Sequence, residues 1–448
     1  MKSTSLKMTG HSIAWYLLPL LLLLQIFVSC NKSEETVNIK GGHQPFTYSA
    51  DVIDKWMTMQ IRLMRNATGI PNHGFSRHFA YSGLVALEAL RPGFPLQAKW
   101  SAKWNGLQGL PIADHSKEYY YPANVNAALA AINRAMFPNA TSIDKQAIDS
   151  LETALHQSFP ASVSSGQISK SVNFGKAVAT AVFNWAETDG YKSANNPYTI
   201  PTGDGKWKPT FPAFANPATP YWGNNRPIIH NSTVNTQVEA PISYSADPHS
   251  AFYQMVKQVY TVSQYLTDDQ KAMAMFWRDV PGVSSPGHWL SILQQTIRKD
   301  NSTLDKAALA YALTGISIND ALIACFKVKY QYSLVRPVTY IREVMGHSNW
   351  APYLGTPAHP EYLSAHSSLS AAAAVVLEKI FGRFDSFTDH TYDYLGMAPR
   401  QYESFTAIGA EAGLSRLYAG IHYQASIDAG TWQGRKVADN IFDQRNTR

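Results

Sequence analysis

Three short segments in the C-terminal third of the chain carry residues that could do chemistry together. They read Lys329-x6-Arg336-Pro337, Ser364-Ala365-His366 and Ser415-Arg416-x5-His422. Pooled, they offer three cations, two imidazoles, serine hydroxyls and backbone N–H groups. Cations and N–H groups hold anions, and an imidazole beside a bound anion can move a proton or donate an electron pair. The set suits a tetrahedral oxyanion held while chemistry happens on it.

Whether the segments can meet depends on the elements that carry them. Lys329 and Arg336 are seven residues apart, two turns of helix, so on one helix both point to one side. Pro337 disfavours helical geometry at Arg336 and should end that helix there. Ser364 is a good N-cap ahead of an alanine-rich run, which places His366 in the first turn. Unpaired N–H groups and the positive end of the helix dipole gather at that turn, and an anion docks there readily. Arg416 and His422 would splay on one straight helix. Gly420 lies between them and can break it, letting both converge from a turn. Each segment alone also reads as something bland: a solvated helix face, an ordinary capped helix, a structural histidine. Their combination carries the argument.

The rest of the chain reads as helical. Apolar residues at Val52, Ile53, Trp56, Met57, Ile61 and Met64 give a broad buried face to a helix over 50–64. Further helices are expected over 124–137, 142–159, 168–188, 250–266, 268–277, 289–298, 303–336, 364–380, 400–418 and 423–443. No sustained period-two alternation and no clean hairpin turn is present. Between Gly190 and Ser243 the composition turns to Pro, Gly, Asn and aromatics, which predicts an ordered loop pinned over the helices. It separates an N-terminal helical region, 46–245, from a C-terminal catalytic bundle, 246–448. The fold class expected is all-α, built from helical bundles.

At 448 residues with 45% hydrophobic and only 16% charged residues, the chain can fill a large interior. Lys2 and Lys7 precede an uncharged run, Ile13 to Val28, that ends at Ser29-Cys30. The run is short for a membrane span, which needs ~20 residues, and reads as an export signal over 1–29. Phe27-Val28-Ser29-Cys30 resembles a bacterial lipobox, so Cys30 is the expected lipidation site and 30–45 a tether. The expected place is the periplasm, the outer membrane or the cell surface, with membrane contact only through that anchor. Removal of Lys2 and Lys7 lowers the formal charge from +6 to +4. With no basic run, nucleic acid is not an expected partner. Cys325 would be the one remaining thiol, which rules out an intrachain disulfide, and its apolar helical setting reads as an inert core position. No segment after Cys30 is expected to have the length and apolarity of a membrane span.

The three segments, in this order and spacing, resemble the superfamily that joins vanadium-dependent haloperoxidases to type 2 phosphatidic acid phosphatases. Its pattern is Lys-x6-Arg-Pro, then Pro-Ser-Gly-His, then Ser-Arg-x5-His-x3-Asp. Trp207-x-Pro-Thr, Trp222-Gly, Phe276-Trp277, Pro286-Gly-His288-Trp289 and Asp320-Ala321 resemble the bacterial haloperoxidase branch, over roughly residues 46–445. The chain departs from the pattern in three places. Leu363 replaces proline, and Ala365 replaces glycine while keeping its backbone N–H. Ser426 replaces the final aspartate that orients the second histidine, and Asp428 stands two residues on as a candidate substitute.

The resemblance implies a role for each residue. Lys329, Arg336, Arg416, Ser364 and the N–H of Ala365 would cradle vanadate. His422 would bond its central atom through one ring nitrogen, and His366 would act as acid–base. Lys329 would also polarise the bound oxidant, while halide is oxidised by hydrogen peroxide. His359 stands where bromoperoxidase-like sequences carry histidine, which favours bromide or iodide over chloride, and His288 is a second candidate pocket residue. The same cradle without vanadate would serve an acid phosphatase in which His422 attacks phosphorus and His366 protonates the leaving alcohol. A third outcome is a non-catalytic binding lipoprotein that keeps the fold. The substrate is expected to be an ion or small molecule, and pairing into a homodimer is in keeping with bacterial relatives of this type.

Overall fold

The computed structural model describes residues 44–93, 100–114, 116–280 and 283–443. The expected signal segment, Cys30 and all but the end of the tether lie outside them. Pro45, at that end, is already buried and opens a short 3-10 turn. Among the described residues thirteen α-helices carry the architecture, and one short two-stranded sheet accompanies them.

In the first half, α1 (Asp51–Asn66) buries the face predicted from its apolar spacing. It is followed by α2 (Phe75–Glu88), α3 (Tyr121–Met136), α4 (Ser142–Gln157) and α5 (Ser165–Ala186). The sequence shows no signal for α2 because all fourteen of its residues are buried, and a helix covered on every side displays no apolar period. Residues 190–243 form the expected ordered loop. Trp207 and Trp222 are buried in it, and Asp320 ties it to the interior by accepting from Ile228 N at 2.9 Å, Ile229 N at 3.2 Å and Ser232 Oγ at 2.7 Å.

The second half contains α6 (Ala251–Gln264), α7 (Asp268–Phe276), α8 (Ser285–Asp300) and α9 (Leu304–Tyr332). Then come α10 (Pro337–Glu343), α11 (Ala365–Phe381), α12 (Phe405–Tyr418) and α13 (Gln424–Phe442). Helix α9 is the axis of the molecule and packs against α2, α11 and α13. It has the length and apolarity of a membrane span, contrary to the expectation that none follows Cys30. Yet 94% of its apolar window is buried inside the protein, which makes it a core helix.

Several boundaries differ from expectation by a few residues, and two of the differences bear on the site and its support. The helix that carries Lys329 ends at Tyr332, because Ser333 adopts a left-handed φ of 49° and its carbonyl accepts from Trp207 N at 2.7 Å. Arg336 is therefore the N-cap of α10 and does not share a helix with Lys329. Residues Arg400–Tyr402 form a strand, β2, antiparallel to β1 (Phe387–Asp389), where a helix was expected. Ser404 then caps α12, its Oγ accepting from Ala407 N at 3.0 Å.

Candidate active site

Each motif segment reaches the site by a local device. Ser364 caps α11, its Oγ accepting from Ser367 N at 3.3 Å, so His366 sits in the first turn as predicted. The N–H groups of Ala365 and His366 find no acceptor among the described residues, as first-turn groups of a helix. After α12, Gly420 takes a φ of 76°, and the turn it makes returns His422 to the side of Arg416. These devices bring Ala365, His366, Arg416 and His422, with His359, into the wall of one cleft of about 490 Å³. Lys329, Arg336 and Ser364 are fully buried outside that wall.

The cations are held by neutral groups. Lys329 Nζ donates to the carbonyls of Pro360 and Glu361, both at 3.0 Å, which leaves one ammonium N–H uncommitted. Arg336 donates through Nε to His359 O at 2.9 Å and through Nη1 to Ile421 O at 2.8 Å. Arg416 donates from Nε to Ser415 Oγ at 2.9 Å and from Nη2 to Ala274 O at 3.3 Å, leaving its Nη1 group free. Among the described residues none of the three has a carboxylate within 4.0 Å, so none is part of an ion pair there. Burial lowers all three pKa values: to about 10 for each arginine, which stays charged, and to about 7 for Lys329.

Arginine can only donate, and that fixes two tautomers. Arg336 Nη1 donates to His422 Nε2 at 3.2 Å, so Nε2 keeps its lone pair and Nδ1 carries the proton. That proton goes to Glu361 Oε1 at 2.8 Å. Arg336 Nη2 likewise donates to His359 Nδ1 at 2.9 Å, so the proton of His359 is on Nε2. His366 is settled by its neighbours. Ser285 gives its hydroxyl proton to Asp279 at 2.9 Å, so His366 Nε2–H must donate, to Ser285 Oγ at 2.7 Å and to Trp277 O at 3.1 Å. Its Nδ1 is left as the basic atom. Burial first, and then Arg416, hold the pKa of His366 down at about 3, and burial with the adjacent cations keeps His422 and His359 well below the usual range. All three imidazoles are neutral.

Several residues here were not singled out from the sequence. Glu361 is fully buried and bonds the His422 turn, and it is the only Asp, Glu, Lys or Arg between Glu343 and Glu378, a signal that was available. Asp279 and Ser285 back His366. His73, from the turn before α2, enters the cleft wall and bonds Thr219 Oγ1 at 2.7 Å. Two candidates are placed elsewhere. His288 lies outside the cleft wall, paired with Asp389 at 2.7 Å and stacked on Trp277 at 4.3 Å. Asp428 accepts from Gln424 Nε2 at 2.8 Å and does not meet His422.

The donor set fits vanadate. Three positive side chains, two unpaired first-turn N–H groups and an unprotonated histidine nitrogen, which here accepts from Arg336, suit a tetrahedral oxyanion bonded through one imidazole. Among the described residues no group of three or more His, Cys, Asp or Glu side chains is set to chelate a metal cation.

Residues 309–447 match the model of the second helical-bundle domain of vanadium chloroperoxidase (VCPO). No curated protein is significantly similar. Among solved structures, the chain resembles the first bacterial vanadium-dependent iodoperoxidase, with a TM-score of 0.77 and 30% identity over 89% of this chain and 96% of that one. Bacterial vanadium-dependent chloroperoxidase in its apo form gives a TM-score of 0.66 at 17% identity, over 85% of this chain and 95% of that one. Its holo form gives 0.64 at 17%, over 86% and 96%. The fold, the order of the motifs and the extent of the match agree, and the chain belongs to the vanadium haloperoxidase superfamily.

Proposed function

We propose that the chain is a vanadium-dependent haloperoxidase that oxidises halide with hydrogen peroxide, preferring bromide or iodide to chloride. One observation carries the reading: Lys329, Arg336 and Arg416 are all buried, with no ion-pair partner among the described residues. Taking a charge out of water costs several kcal/mol, and protein interiors normally offset that with a counter-charge. Glu361 and Asp279 act on these cations only from longer range, and the histidines are neutral. An anion is the missing partner.

Bound vanadate would supply the centre that activates peroxide toward a halide. The chain's own groups do the rest. Lys329, Arg336 and Arg416 offset the charge on the oxyanion, and the N–H groups of Ala365 and His366 receive its oxygens. His422 offers the Nε2 lone pair. His366 takes a proton at Nδ1, and its gain of charge is supported by Asp279 through Ser285. His359 lines the cleft with Nε2–H, a donor suited to a halide ion. The resemblance to an iodoperoxidase agrees with the preference for larger halides.

The unprotonated Nε2 of His422, once released by Arg336, is equally a nucleophile, so a phosphatase working through the same atoms is the second reading. Purified protein with and without orthovanadate separates the two, assayed for peroxide-dependent oxidation of iodide, bromide and chloride and for hydrolysis of an aryl phosphate. Halide oxidation that requires orthovanadate supports the first reading, and phosphate release inhibited by orthovanadate replaces it with the second. Neither activity would leave a binding lipoprotein. We propose the same exported, lipid-anchored location as the N-terminal sequence implies. Metabolic labelling with a fatty acid tests it, with loss of label expected in Cys30→Ser.

A further inference from the structure

The superfamily pattern puts an aspartate four residues after the histidine of its third motif, and this chain has Ser426 there. Serine cannot supply the charge. The carboxylate is nevertheless present, from another part of the chain: Glu361, in the loop before α11. Its Oε1 accepts from His422 Nδ1 at 2.8 Å and from Tyr423 N at 3.0 Å, and its Oε2 accepts from Ser426 Oγ at 2.6 Å. All three donors belong to the turn that presents His422.

We propose that Glu361 is the positioning residue for His422 and that Ser426 is its docking partner, the two together replacing the aspartate of the family pattern. The inference rests on the reading of the site given above. Two arguments support it beyond the distances. A buried carboxylate is costly unless its lone pairs are matched, and here the matching donors come wholly from the segment whose histidine it orients. The substitution at 426 also follows from the position of Glu361. An aspartate at 426 would set a second acceptor-only group against Glu361 Oε2, whereas serine turns that contact into a hydrogen bond.

The arrangement holds His422 in the tautomer whose Nε2 is unprotonated. It also ties the histidine to the oxyanion turn, because Ser426 O accepts from Ser364 N at 3.0 Å and Glu361 O accepts from Lys329 Nζ at 3.0 Å. One loop residue thus connects a cation, the helix cap and the imidazole.

The test is orthovanadate binding to the full chain by titration calorimetry, with circular dichroism reporting the fold. Glu361→Gln keeps the shape and should weaken binding on the order of 10–100-fold, as loss of the partner that orients a ligating histidine does. Ser426→Asp alone should also weaken it. The double variant Glu361→Gln/Ser426→Asp restores a carboxylate at the family position and should recover most of the loss. In a His422→Ala background, Glu361→Gln should change binding by less than about threefold, since Glu361 acts through that ring. Native-like binding by Glu361→Gln overturns the proposal. So does a double variant that binds, or folds, no better than Glu361→Gln. Native protein that binds neither orthovanadate nor inorganic phosphate sinks the reading of the site itself, an outcome distinct from the others.

Discussion

Lys329 makes the site's charge depend on pH. Burial lowers its pKa from the ordinary lysine value to about 7, with Cys325, Arg336 and Glu361 as the neighbouring charged or titratable groups. The ammonium form is the one that attracts an anion. Below about pH 7 that form is present, and as pH rises through 7 the free site loses a positive charge. Anion capture should therefore fall by up to tenfold per pH unit above about 7. The ligand's own ionisation cancels when the native chain is compared with Lys329→Gln. The expected result is an affinity advantage of native protein that is flat at pH 5–6 and shrinks above 7; an advantage constant from pH 5 to 9 would show that Lys329 stays charged. The types and order of these residues were legible in the sequence, because motif spacing survives folding. The partners were not. Glu361 is sixty-one residues before His422 in the chain and one hydrogen bond from it in space only because the 422–426 turn folds back over the loop. Asp428, close in sequence, fails because two residues along a helix turn it by about 200°.

At the scale of elements, two helices fix the oxyanion turn against the His422 turn. Helix α13 meets α11 through glycines. A Cβ at Gly430 would stand 2.6 Å from Ser364 O, and one at Gly434 would stand 1.9 Å from Ser368 O. The backbones are in direct contact, and the contact lies under the N-cap that presents Ala365 and His366. Gly434→Ala forces them apart, at a cost of about 1–3 kcal/mol typical of overpacking. Gly430→Ala should cost a similar amount and in addition displace the Ser364 turn. The expected outcome is a lower melting temperature for both variants and a loss of orthovanadate affinity larger for Gly430→Ala. Equal affinity losses would mean that the cap is not positioned by this contact. Helices with one wet face, such as α1, were legible from their apolar spacing. Helix α2 and the break at Ser333 were not, since one is buried all round and the other depends on a loop far away in sequence donating Trp207 N.

At the scale of the molecule, the change of composition near 245 reads as a boundary along the chain, yet the residues from 44 onward pack as one compact unit. One core runs from Ala50 to Ile441 and includes α1, α2, α9, α11 and α13. The cleft draws its wall from the same range: His73 comes from the first half, Ala218 from the long loop, and the motif residues from the second half. A site assembled this way cannot outlive partial unfolding of either half. A ligand that binds only the folded chain adds about 2.7 kcal/mol at a hundred times its Kd. For a chain of this size that is a shift of roughly 3–5 °C in melting temperature. Calorimetry with orthovanadate should show a single transition that moves upward as a whole. Two transitions, of which only the later one responds, would mean that the bundle after residue 245 holds the oxyanion alone and that the first half merely leans on it.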